Sequence, residues 1–371
     1  MHSGSPRLRR TAGRALRRTA LLALVVLALP AMALDSVQWN GFALLRPETP
    51  ASGRPLDDDS LSAQLQVGVD WRPSVALGGH LHLLARNESD GSRRGHVGVV
   101  EAFLEQNFRR GNDRIHLMEG AFFLPGSREN IDSLWESPYT ITSSALNSWM
   151  GEEFRPIGID ASYTHRLHRS SIGGAVTLYR GNDTFGALPI DRGWALRDHW
   201  TLLGEHIPVN ATHTIFTSVS AETDGRIGWA ARARWNTDRA SLQFTRIDNR
   251  ADALRYGELF NWATRFNIAA ADCTWKGWTA ITEIGWGTTA IQPSSGRRSF
   301  PIRAGYVMVS RQIASWRASL RAEEYEERAA DGQAVTAAVF WEPPRARLRT
   351  GIEAIATDVD KRLAVELRYR F

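Results

Sequence analysis

The stretch Arg362-Leu363-Ala364-Val365-Glu366-Leu367-Arg368-Tyr369-Arg370-Phe371 decides the fold. Successive side chains of an extended strand point to opposite sides. Leu363, Val365, Leu367, Tyr369 and Phe371 therefore share one face, and Arg362, Ala364, Glu366, Arg368 and Arg370 the other. A strand with one greasy and one charged face needs an apolar medium against the first.

Working outward, the same period of two runs along most of the chain. Leu61, Ala63, Leu65, Val67, Val69 and Trp71 alternate with Ser62, Gln64, Gln66, Gly68, Asp70 and Arg72. Ile227, Trp229, Ala231, Ala233 and Trp235 alternate with Gly228, Ala230, Arg232, Arg234 and Asn236, and Leu348, Thr350, Ile352 and Ala354 with Arg349, Gly351 and Glu353. A soluble sandwich also alternates. Tryptophan at strand ends favours a membrane barrel instead, and Trp71, Trp229, Trp235, Trp262, Trp278, Trp286, Trp316 and Trp341 are expected near strand termini on the apolar face, as interfacial girdles.

Met1 to Ala33 reads as a secretory signal: Arg7, Arg9, Arg10, Arg14, Arg17 and Arg18 precede the apolar run Ala20–Leu29 and the small-x-small site Ala31-Met32-Ala33. The run is shorter than the roughly 20 residues a spanning helix needs. The mature chain is expected to begin near Leu34 and to form one domain, 34–371. No later apolar stretch has helix-spanning length, so a membrane protein built from this chain has to be a closed barrel, the other structure that satisfies every backbone group in hydrocarbon.

The whole sequence carries 45 Lys and Arg against 40 Asp and Glu. Taking away six signal arginines and no acid leaves 39 against 40, so the basic character of the precursor gives no reason to expect nucleic acid as a partner. Only Lys276 and Lys361 are lysines, and the single Cys273 excludes an intramolecular disulfide and cysteine zinc sites; it is expected half-buried at a strand end.

Marking the alternating segments gives strands near 36–46, 61–71, 78–87, 96–108, 114–123, 156–166, 172–180, 196–207, 213–222, 226–236, 239–247, 262–272, 277–288, 301–311, 315–326, 333–341, 346–356 and 361–371. The fold class is all-β: a transmembrane antiparallel up-and-down barrel of about eighteen strands, with sixteen as the alternative because 196–207 and 239–247 alternate poorly. With Leu34 and Phe371 both periplasmic, short connections such as 109–113, 167–171, 236–239 and 342–345 fall on one side. Long ones (47–60, 124–155, 180–195, 247–261 and 288–300) fall on the other. Glu101 and Glu119 sit awkwardly on lipid-side positions, which points to a register slip at each rather than an exposed charge.

With this count and the terminal strand, the chain resembles the Gram-negative outer-membrane porin superfamily over its whole mature length. The resemblance implies passage to the outer membrane, contact with its lipid and lipopolysaccharide, and recognition of Leu363, Val365, Leu367, Tyr369 and Phe371 by the barrel-assembly machinery. It leaves a homotrimer open. The Pro-Glu-Phe-Gly-Gly motif of general porins is missing; Ser137-Pro138-Tyr139 and Gly151-Glu152-Glu153-Phe154-Arg155-Pro156 stand in that stretch, so the subfamily stays open, the phosphate-selective type included.

The resemblance also implies that the third outer loop, Leu124 to Arg155, folds into the lumen, and its apolar residues Ile131, Leu134, Trp135, Tyr139, Ile141, Leu146 and Trp149 are those of a packed segment. Its acids Glu129, Asp132, Glu136, Glu152 and Glu153 are the candidate constriction. Arg232, Arg234, Arg303, Arg317, Arg321, Arg347, Arg349, Arg362, Arg368 and Arg370 are the candidate lumen wall. Facing rows of opposite charge across a narrow channel would set up a transverse field that sorts solutes, whereas pairing with Glu323, Glu353 or Glu366 would merely line a wet wall.

The function expected is a water-filled channel for passive diffusion of small hydrophilic or charged solutes, with no catalysis and no cofactor. The alternatives are an exporter or a structural plugged barrel, and a barrel hydrolase. For the last, the histidines are scattered without a nucleophile motif, and His80 and His82 share a strand face with no third metal ligand in sight.

Overall fold

The computed structural model describes residues 36–49, 61–87, 95–209, 212, 214–326 and 331–371, so the expected signal segment lies outside the described residues. Sixteen antiparallel strands close into a barrel in sequence order. They are β1 Val37–Pro47, β2 Leu61–Trp71, β3 Leu77–Arg86, β4 Val97–Arg110, β5 Asp113–Ala121, β6 Ile157–Arg166, β7 Ser170–Arg180 and β8 Gly228–Thr237. The second half is β9 Ala240–Asp248, β10 Arg265–Trp275, β11 Trp278–Ile291, β12 Arg298–Ile313, β13 Trp316–Glu326, β14 Asp331–Trp341, β15 Leu348–Thr357 and β16 Lys361–Arg370. The charged-and-greasy terminal strand closes the ring against β1, from Phe42 opposite Arg370 to Leu45 opposite Leu367. Closure leaves the barrel itself no open edge.

The alternation reads out as an inside-out surface. In β12 and β13, outward Val307 and Leu320 are 58% and 56% exposed, while inward Met308 and Arg321 are 0%. Connections at one end are short, such as 111–112, 238–239, 276–277 and 314–315, and those at the other include 122–156 (L3), 181–227 (L4) and 249–264 (L5). The short-turn end carries an exposed aromatic belt in which Trp275 faces Trp278 and Trp316 faces Trp341 across paired strands, with Trp39, Trp235 and Tyr369 exposed alongside.

Four expectations are corrected. Residues 196–207 and 213–222 are not barrel strands: they lie in L4, where Leu196, Trp200, Leu202, Phe216 and Val219 are buried. Their apolar residues pack inside the barrel instead of facing lipid, and because two adjacent strands drop out, every later strand keeps its direction. Trp262 is likewise buried in L5 and belongs to no girdle. Arg303 stands on the outward face of β12, alternating with inward Ile302 and Ala304. Cys273 is exposed rather than half-buried.

The two awkward acids part company. The β3–β4 register shifts between His82 and Leu83, so Val100 and Glu101 both turn inward, and Glu101 accepts the Phe123 backbone amide at 2.6 Å. Such a bulge is the slip the alternation suggests. Glu119 shows no slip and is exposed on the outward face of β5, in register with Leu104 and Ile159. Burying a guanidinium at mid-height of that face is costly, so Val307→Arg is expected to lower stability by about 2–4 kcal/mol. Reversible urea unfolding into lipid vesicles measures it, and a loss below about 1 kcal/mol would place Val307 outside the apolar band.

Candidate functional site

L3 enters the barrel rather than crossing its rim, and its course follows from where its backbone amides find acceptors. Three inward carboxylates on alternate strands supply them. Glu353 on β15 accepts Ile141 N at 2.6 Å, Thr142 N at 3.1 Å and Thr142 Oγ1 at 2.7 Å. Glu323 on β13 accepts Ala145 N at 2.7 Å, and Glu283 on β11 accepts the Arg128 amide and, at 2.6 Å, Asn147 Nδ2. Ser144 caps the helix α1, Ala145–Glu153, by accepting Asn147 N at 3.2 Å. Every residue of α1 is buried, and Trp149 stacks on Phe185 of L4 with centroids 4.6 Å apart.

The predicted acids and arginines meet in contact. Arg321 donates to Glu129 at 2.6 Å and to Glu323 at 2.8 Å, with further bonds to Thr140 Oγ1 and Thr142 O. Arg368 lies 3.1 Å from Glu136 and 2.9 Å from Glu366, and Arg370 3.1 Å from Asp132 and 3.0 Å from Glu342. Arg349 lies over the Phe340 ring at 3.7 Å, with Nη1 donating to Ser137 O, and Arg317 over Tyr139 at 5.2 Å. Arg362 donates to Leu196 O at 3.1 Å. Arg232 pairs with Asp160, and Arg234 donates to Gln243 and to Pro125 O. Arg347 is exposed in the short turn after β14, and Arg303 faces outward, so neither lines this lumen.

Glu152 and Glu153 turn away from the wall and hold L4. Glu152 pairs with Arg192 at 2.6 Å and with Arg197. Glu153 accepts Gly186 N at 3.0 Å, Ala187 N at 3.1 Å and Trp149 Nε1 at 2.7 Å, and it also bonds the Thr217 hydroxyl. Burial pushes the Glu153 carboxyl up to about 7, against the pull of these donors. L4 is further tied to the wall by Arg46, 2.6 Å from Asp198, and by Arg86, 2.7 Å from Glu205. Nothing in the alternation marks Arg46, Arg86 or Glu283 as loop anchors; their one signal is a charge on the wet face of a strand.

At the long-loop end Asp183, Glu222 and Asp224 bring carboxylate oxygens within 4.8 Å of one another. They already accept Thr223 N at 2.6 Å, Gly225 N at 2.8 Å and Arg226 N at 2.9 Å, respectively, which makes the group the framework of L4's own turn. Burial, with Asp224 and Glu222 adding to it, raises the Asp183 carboxyl to about 6.

The barrel shares its fold with barrels already solved. Salmonella typhi OmpF, determined in complex with daunomycin, aligns over 90% of this chain and 97% of its own, with 10% identity and a TM-score of 0.57. A loop-L8 deletion mutant of OmpT, an outer membrane protein of Vibrio cholerae, aligns over 90% and 99%, with 9% identity and a TM-score of 0.53. The chain has the porin fold. No family model matches the sequence, and no curated protein does so. In this porin fold both L3 and L4 occupy the lumen, and their apolar residues join inward Ile247, Phe266, Ile302 and Tyr325 in one core.

Two outcomes are expected. Arg321→Met leaves Glu129 and Glu323 buried without their cation and should cost about 3–5 kcal/mol, seen as a lower temperature for the folded-to-unfolded gel shift of the unboiled protein. Folded Glu153 and Asp183 titrate near 7 and 6, above their ordinary 4.5 and 3.8, so between these values the folded chain binds protons that the unfolded chain has lost. Their contribution to stability is fully present below the ordinary values and is lost as pH rises through 6 to 7. Thermal unfolding against pH should show this fall, and Glu153→Gln should flatten its upper part; an unchanged slope in the variant would count against Glu153.

Proposed function

We propose that the mature chain, residues 34–371 after removal of a signal at 1–33, is an outer-membrane channel for passive diffusion of small hydrophilic solutes, and that the conformation described is its closed state. The observation that carries this reading is the porin fold around an inner wall charged on strand after strand, from Arg46 and Arg86 to Glu283, Arg321, Glu353 and Arg368. An inert plug needs no such wall, since apolar packing would hold it without the cost of burying charge. An outer-membrane location fits the apolar outward band, the aromatic belt and the terminal strand Leu363–Phe371, which is the segment an assembly machinery would read by strand addition.

L4 is the segment whose displacement opens the path. It reaches the wall through Arg46–Asp198, Arg86–Glu205 and the Arg362 bond to Leu196 O, and it reaches L3 through Glu152 and Glu153, whereas L3 is fixed along its length by bonds from its backbone to Glu283, Glu323 and Glu353. A static plugged barrel is the second reading, favoured by the apolar core that L3, L4 and the wall share.

Planar-bilayer recording separates the two. The intact protein should conduct weakly or in rare events. A variant in which a short Gly-Ser linker replaces residues 187–220 should conduct several-fold more while keeping the heat-modifiable gel shift of a folded barrel. A folded variant that stays silent would overturn the channel reading and leave the plugged barrel.

A further inference from the structure

The lumen wall is not filled evenly. On β6 the inward residues include Asp160, Ser162 and Thr164, and on β8 Arg232, Arg234 and Asn236. At the middle of this stretch β7 presents Ala175, in register with Ser162 and Arg232, and Gly173, in register with Thr164 and Arg234. One methyl group and one bare glycine, flanked by two guanidiniums and two hydroxyls, leave a niche of about 230 Å³, bounded on the L3 side by Pro125.

Its charge does not cancel. Arg232 has a side chain only 7% exposed; its Nη2 pairs with Asp160, whose carboxylate also accepts Thr177 Oγ1 at 2.6 Å. Arg232 Nη1 has no hydrogen-bond partner among the described residues. Arg234 is bonded to two neutral oxygens, the Gln243 amide at 2.8 Å and the Pro125 carbonyl at 3.3 Å, with no carboxylate in ion-pair contact among the described residues. His116 lines the same niche with its Nε2 on Glu105 at 2.9 Å. One acid against two arginines leaves a surplus positive charge in a confined, partly dry space, where a guanidinium left without an anion is costly.

We infer that this niche binds a small hydroxylated carboxylate, its carboxylate on Arg232 and Arg234 and its hydroxyls toward Ser162, Thr164 and Asn236. The site gives the channel of the preceding section a solute class, and its use in transport rests on that reading; occupancy does not. The space suits a solute of glycerate size, since a cavity of roughly 150 Å³ takes benzene. Planar guanidiniums receive a carboxylate through paired N–H donors, and flanking hydroxyls distinguish such a solute from a bare anion. Asp160 is the internal rival for Arg232, so it sets how tightly an external carboxylate is held.

Isothermal titration of the folded full barrel in detergent with glycerate, and with glycerol as the uncharged control, tests this without requiring conduction. Saturable binding of glycerate and none of glycerol is expected, weakening as salt rises. Arg234→Gln should weaken binding at least tenfold, and Ala175→Leu, which fills the niche, should abolish it. Asp160→Asn should tighten binding several-fold by freeing Arg232, an effect opposite to that of a merely structural residue. Failure of glycerate to bind, equal binding of glycerol, or wild-type binding by folded Arg234→Gln and Ala175→Leu would overturn the site. A silent channel in bilayers that still binds glycerate would overturn only its use in transport.

Discussion

The interaction on which the interior depends is the capture of L3 backbone amides by Glu283, Glu323 and Glu353. A loop drawn into a barrel brings backbone donors that no sheet ladder can satisfy, and each one left unmade costs about 1–3 kcal/mol. Three carboxylates on β11, β13 and β15 take up Arg128, Ala145, Ile141 and Thr142, and so fix the loop at its entry, at its middle and at the start of α1. Carboxylates buried together would repel, and Arg321 answers that by bonding Glu129 and Glu323 at once. With α1 so placed, Glu152 and Glu153 are the residues left to seat L4. L4 is therefore held twice, through Glu152 and Glu153 on α1 and directly to the wall through Arg46, Arg86 and Arg362.

The usual arrangement of a soluble protein is inverted on the wall and restored inside it. Val307 and Leu320 are more than half exposed, and Arg321, Glu353, Glu366 and Arg368 are at or near zero. Yet the lumen also holds an apolar core, because Trp149, Phe154, Phe185, Leu188 and Trp194 come from L3 and L4 and meet inward Phe266 and Tyr325. One ring of strands thus has two apolar contacts, lipid on its outside and loop residues on part of its inside. Inward apolar side chains such as Ile247, Ile302 and Ile355 are the places where the second contact is made.

Most of the barrel was legible because a strand with two different faces writes its period directly into the sequence. Sixteen segments, their direction and the third long loop follow from that period and from connection length. Residues 196–207 misled for a physical reason: Leu196, Trp200 and Leu202 do alternate toward one side, but that side is the packed interior, and period alone does not say which apolar medium a face touches. Arg303 shows the same limit from the polar side: it stands outward in register with Trp286, and a long side chain there can carry its charge toward the interface. Glu101 needed a bulge to turn inward, and an inserted residue leaves no signature in composition. Of the candidate site, the chemistry was readable as acids on L3 and arginines on the wall, but their separation was not, because L3 could sit against either wall until its amides had found their acceptors.

That separation decides what the charges can do. A transverse field requires rows held apart by solvent, whereas Arg321 with Glu129, and Arg368 with Glu136, stand at 2.6 Å and 3.1 Å and largely cancel beyond their own neighbourhood. What a solute senses is then the remainder, the cations left without a contacting acid. Among the described residues Arg317, over the Tyr139 ring, and Arg234, bonded only to neutral oxygens, are of this kind, and L3 meets each with a neutral group, the Tyr139 ring and the Pro125 carbonyl. Pairing at the plug and surplus charge beside it are consequences of the same placement: by drawing most of the wall's ions onto itself, L3 leaves the few unpaired arginines as the electrostatic features of the open space.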